Sequence, residues 1–122
     1  MKTGLSFLAG LAAAGCAIAV VEAVGHTWVI GDGIFAVAVI AYLLGAVAGT
    51  LVVSALASAA AARFVPVALV LPVLLNLRAF PHPPWFLPSA VVMLALGWLA
   101  GSALSRRLVT RTLQRTAASP TR

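Results

Sequence analysis

LSFLAGLAAAGCAIAVVEAV, residues 5–24, holds one charged side chain, Glu22, in twenty positions. About 20 predominantly apolar residues, rising about 1.5 Å each, cross the roughly 30 Å hydrocarbon layer of a bilayer. The stretch therefore reads as a membrane-spanning helix. Working outward from it, three further apolar stretches follow with little between them, at about residues 34–62, 64–80 and 85–104. Composition agrees: 63% of the 122 residues are hydrophobic and 8% charged, against roughly 45–50% and roughly 25% in soluble domains. The expected fold is an all-α, four-helix antiparallel transmembrane bundle, because only helices or closed barrels satisfy every backbone polar group in lipid. Residues 1–107 would form this single domain, and residues 108–122 a basic cytoplasmic tail.

The connectors are short. Gly25-His26 and Gly31-Asp32-Gly33 bracket Thr27 to Ile30, a glycine-punctuated turn between antiparallel neighbours. The second stretch is longer than needed and is expected to tilt or to project beyond the hydrocarbon. In the third, Pro66 fits a first helical turn, whereas Pro72 removes a mid-helix hydrogen bond and predicts a kink. Pro81-His82-Pro83-Pro84 reads as an extended, rigid connector, and Pro88 fits the first turn of the fourth span. Beyond Arg106, the basic residues at 107, 111 and 115 share a helix face, while residues 117–122 read as disordered.

The eight basic side chains give the orientation. Lys2, Arg63, Arg106, Arg107, Arg111, Arg115 and Arg122 fall on one side of the expected membrane and Arg78 alone on the other. That bias places both termini in the cytoplasm, N-in/C-in. Trp28 and Trp85 then belong to the outer interface. A net charge of +6 would point a soluble protein toward nucleic acid, but basic groups abutting apolar spans contact anionic lipid instead, so no nucleic-acid partner is expected. Cys16 stands alone and excludes an internal disulfide. It loosely resembles a lipoprotein cleavage site after Leu11 to Gly15, but the apolar run continues past it, so neither lipidation nor signal cleavage is favoured.

Small residues recur at helix-contact spacing: Gly45 and Gly49, continuing to Ser54 and Ser58, and Gly97 and Gly101. In lipid, such stripes let backbones approach closely. They are expected to pack within one bundle, with a homo-oligomer or another membrane protein as the alternative partner. Tyr42, Phe35 and Trp98 read as packing residues, and Asn76, four residues after Pro72, as a polar link to a freed carbonyl or to a neighbouring helix.

The ionisable residues cluster by depth. Glu22 lies about 26 Å along the first span and Arg78 about 21 Å along the third, both near the outer interface. His26 is one turn above Glu22 on the same face, and Asp32 and His82 lie in the connectors just outside. These five could meet in one non-cytoplasmic pocket. The plainest reading is a structural Glu22–Arg78 ion pair. A sharper one makes Glu22, His26 and His82 ligands of a divalent metal such as zinc. A third makes Glu22 and His26 a proton-accepting pair in a small transporter. No nucleophile with a base at its own depth, and no phosphate loop, is present in the sequence. The expected function is non-enzymatic: a scaffold or accessory subunit acting through helix contacts, with binding or transport of a metal ion, proton or small solute at the outer pocket as the alternative.

Val21-Glu22-Ala23-Val24-Gly25-His26, the run Gly45 to Gly49, Asn76, and Pro81-His82-Pro83-Pro84-Trp85-Phe86 together resemble a family of small bacterial four-helix inner-membrane proteins. Its members carry a Glu-x-x-Gly-His motif ending the first helix and a Pro-His-Pro-x-Trp-Phe motif before the last. The resemblance spans most of residues 5–107 and implies this topology and a bacterial inner membrane, with no catalytic role. The first connector here is shorter than in that pattern and lacks its proline cluster.

Overall fold

The computed structural model describes residues 2–117; the expectations for residues 118–122, Arg122 among them, lie outside the described residues. Five helices follow in order: α1 (Lys2–Trp28), α2 (Gly33–Leu56), α3 (Ala59–Ala62), α4 (Phe64–Ala79) and α5 (Phe86–Ala117). No strand occurs among the described residues. α3 is a single turn leading into α4, so the architecture is a four-helix bundle whose four apolar spans are each long enough to cross a membrane. The chain is a multi-pass membrane protein in fold.

The boundaries differ from the expected ones in three places, each for a local reason. The second span does not run on to residue 62. It ends at Leu56, and Ser58, in extended backbone, caps α3 by accepting from the Ala61 N–H at 3.1 Å. A serine hydroxyl at that position satisfies a helix-start donor and offers the chain a place to turn. Residues 59–79 consequently act as one span with a break at Arg63. Gly25 and His26, expected in the connector, belong to α1, and the turn shrinks to residues 29–32. Gly31 makes that turn with φ +71°, a backbone conformation that glycine adopts without steric cost. At the far end, α5 does not stop near Leu104 but continues to Ala117. Its 32 residues extend about 48 Å, some 18 Å more than the hydrocarbon is thick, and the excess bears Arg106, Arg107 and Arg111.

α2 is the central element: half of its span is buried, against 17–22% in the other three. Gly45 and Gly49 meet α1, where a Cβ added to them would lie 3.1 Å from the Ala14 carbonyl and 3.0 Å from the Gly10 carbonyl. Ala46 and Thr50, on the adjacent face, receive Gly97 and Gly101 of α5. Both glycine stripes are thus used inside the bundle. α4 rests on the same core through Val65, Leu69 and Val73, which repeat every four residues. Apolar side chains elsewhere on α1, α4 and α5 point outward, as lipid-facing positions should.

Candidate functional site

The connector end of the bundle is organised around Phe86, which is completely buried. Phe35 and Tyr42 of α2 meet it edge-on, with centroids 6.0 and 6.3 Å away, and His82 lies against it at 4.3 Å. The proline-rich connector explains how His82 gets there. Pro81 to Pro84 cannot form helix, and the Phe86 N–H closes a turn onto the Pro83 carbonyl at 3.0 Å. The connector therefore folds back over the bundle end and is not extended throughout. The His82 ring sits between Phe35, at 5.0 Å, and Phe86. Its Nδ1 lies 2.6 Å from the Phe80 carbonyl oxygen. A carbonyl only accepts, so Nδ1 carries the hydrogen in this contact.

Glu22, His26 and His82 line one cavity of about 450 Å³ with Phe35, Phe80 and Asn76. α1 supplies Glu22 and His26 from successive turns, α4 supplies Asn76, and the connector supplies His82. Asn76 is tied to α2, its Nδ2 donating to the Tyr42 hydroxyl at 3.2 Å. Of the two roles expected for Asn76, the link across helices is the one it takes, and its Oδ1 remains free to accept. Tyr42, read from sequence as packing alone, is both a wall of the aromatic cluster and a polar partner. Only its place among apolar residues, which obliges a phenol to find a partner, could have signalled that.

A second cavity, of about 540 Å³, adjoins the first between α1 and α4 and shares Glu22 and Asn76 with it. Leu11, Ile18 and Leu71 make it apolar, and Tyr42 and Pro72 complete its wall. Pro72 has no N–H to give to the carbonyl of Ala68, four residues earlier, and both residues border this space. The kink expected at Pro72 therefore falls where a cavity opens.

Two of the five expected pocket residues are elsewhere. Arg78 is exposed and lines neither cavity, and among the described residues it forms no ion pair with Glu22. The reason is rotation: Arg78 follows Asn76 by two residues, about 200° around the helix, so when Asn76 faces the cavity Arg78 faces away. Asp32 is exposed at the start of α2, where its carbonyl accepts from the Phe35 N–H at 3.2 Å. The metal expectation is not met either. Although Glu22, His26 and His82 border one space, no three His, Cys, Asp or Glu side chains among the described residues are grouped closely enough to hold one ion. His26 is exposed, and His82 is held by its carbonyl and its two aromatic neighbours.

Glu22 is left without an ion pair or a hydrogen bond among the described residues; its electrostatic neighbours are His26 and Tyr42. No protein-family model matches this chain, and neither does any curated protein or solved structure, so the chemistry of the site rests on its own geometry.

Proposed function

We propose that this chain binds a small solute at the non-cytoplasmic face of the bacterial inner membrane, with both termini in the cytoplasm. One observation carries the reading: the single acidic side chain within the spans, Glu22, forms no ion pair or hydrogen bond among the described residues and opens onto a cavity with two imidazoles and an amide. Ionisable side chains within membrane spans are costly, and such residues mark pathways or sites unless paired. Both motifs behind the family resemblance contribute to that cavity, Glu22 and His26 from the first and His82 from the second. The seven-to-one bias of basic residues supports the orientation. A scaffold acting through its glycine stripes is less favoured, because those stripes are already filled by neighbouring helices.

The reading requires that water and solute reach the cavity from outside. Ala38 forms part of its wall and is otherwise buried. In a Cys16→Ser background, Ala38→Cys should react with a charged, membrane-impermeant thiol reagent added to intact spheroplasts. A cysteine that stays unmodified in folded protein, yet reacts after unfolding, would defeat the proposal.

A further inference from the structure

The two adjoining cavities meet at Glu22, the one carboxylate on either wall. Around it stand the Asn76 amide, the Tyr42 hydroxyl and the rings of His26 and His82. Neither wall contains a lysine or an arginine, Arg78 being turned away and Arg63 lying at the opposite end of α4. A carboxylate with no basic partner on its walls repels anions and attracts a cation.

The walls also discriminate among cations. A bare metal ion needs several close ligands, and no such group exists among the described residues. The rings of Phe35 and Phe80 border the upper cavity beside Glu22, and aromatic faces attract alkylated ammonium groups. Below Glu22 the second cavity is apolar, and it is bordered by Gly15 and Leu71, both exposed on the surface that meets lipid. Both cavities are lined mostly by apolar surface and meet at the carboxylate, so a ligand seated there has a charged head at Glu22 and an apolar tail beside it.

Resting on the solute-binding reading above, we propose that the ligand is an amphipathic organic cation, its ammonium group held at Glu22 and its alkyl chain lying in the lower cavity between α1 and α4. The titratable groups facing Glu22 are His26 on α1, Tyr42 on α2 and His82 on the connector, and α4 presents the neutral Asn76. A proton on the Glu22 carboxylate competes with the cation, so binding weakens as pH falls.

The test is equilibrium dialysis of labelled hexyltrimethylammonium against the full chain in lipid nanodiscs. Saturable binding is expected, with tetramethylammonium a weaker competitor and hexanesulfonate none. Glu22→Gln should weaken binding about tenfold or more, Glu22→Asp should recover much of it, and Leu71→Trp should reduce the preference for the hexyl chain over tetramethylammonium. Competition by hexanesulfonate or hexanol equal to that of the cation, with Glu22→Gln unchanged, would overturn the cation assignment while leaving a solute site. No saturable binding of hexyltrimethylammonium to folded protein would overturn it too, and the labelling of Ala38→Cys then decides separately whether the cavity is a solute site at all.

Discussion

Tyr42 accepts a hydrogen bond from Asn76 at 3.2 Å and so joins α2 to α4 beside the cavity. In membrane proteins such a link contributes on average about 0.6 kcal/mol and at most about 1.7. Tyr42→Phe leaves the Asn76 amide without its acceptor, and a lost partner costs more than an absent pair. The single variant should therefore lose about 0.5–1.5 kcal/mol in a denaturant titration of the detergent-solubilised protein, and Tyr42→Phe with Asn76→Leu should recover part of that loss. Equal stability of wild type and Tyr42→Phe would show that the bond contributes nothing. At this scale the shared cavity of Glu22, His26 and His82 was legible because ionisable groups are conspicuous in an apolar chain. Arg78 was misplaced because depth along a helix was matched without its angle around the axis. A two-residue step from Asn76 reverses the side on which a side chain emerges.

Helix contacts were legible from glycine spacing, but which glycine tolerates a methyl group depends on what stands opposite. At Gly97 an added Cβ would lie 2.5 Å from the Leu43 carbonyl oxygen and 2.7 Å from the Ala46 Cβ, both fixed by the α2 backbone. At Gly45 the nearest atoms belong to the Ile18 side chain, at 2.6 and 2.9 Å, and can rotate away. Gly15 meets nothing within 4 Å. Overpacking a tight contact costs typically about 1–3 kcal/mol, so Gly97→Ala should fall in that range, Gly45→Ala should cost less, and Gly15→Ala should stay within about 0.5 kcal/mol of wild type. Thermal unfolding of the three variants in one detergent gives the order, and a harmless Gly97→Ala would mean that α5 does not approach α2 so closely. The ends of elements were harder to read than their contacts. Hydropathy cannot see the break at Ala57-Ser58, because alanine continues the apolar run on both sides and only the Ser58 cap marks the turn. The extension of α5 was partly visible, since Arg107 and Arg111 keep helical spacing after the apolar residues end.

For the whole molecule, four apolar spans could be counted before any geometry was known, because lipid forces each of them to satisfy its own backbone. The convergence of α1, α4 and the proline connector on one cavity could be posed from depth but not decided, since residue spacing does not say whether α1 and α4 are neighbours. Orientation in the membrane is a separate matter and rests on charge. Arg63 lies at the break before α4, and Arg106, Arg107 and Arg111 lie on the part of α5 that outruns the hydrocarbon, all at the end opposite the cavity. Positive residues near short connectors are retained on the cytoplasmic side, and the proposed orientation, with the Glu22 cavity outside, rests on that rule. A reporter that fluoresces only in the cytoplasm, fused after residue 117, should be bright, and alkaline phosphatase at the same position should be inactive. Inserted in the exposed turn at Gly31, the phosphatase should be active. Replacing Arg106, Arg107 and Arg111 together with glutamine removes three of the seven charges on which the proposed orientation rests. The phosphatase fused after residue 117 should then gain activity in a fraction of molecules. Full phosphatase activity there in the wild-type chain would invert the protein and turn the Glu22 cavity toward the cytoplasm, where a membrane-impermeant reagent added to spheroplasts could not reach Ala38→Cys.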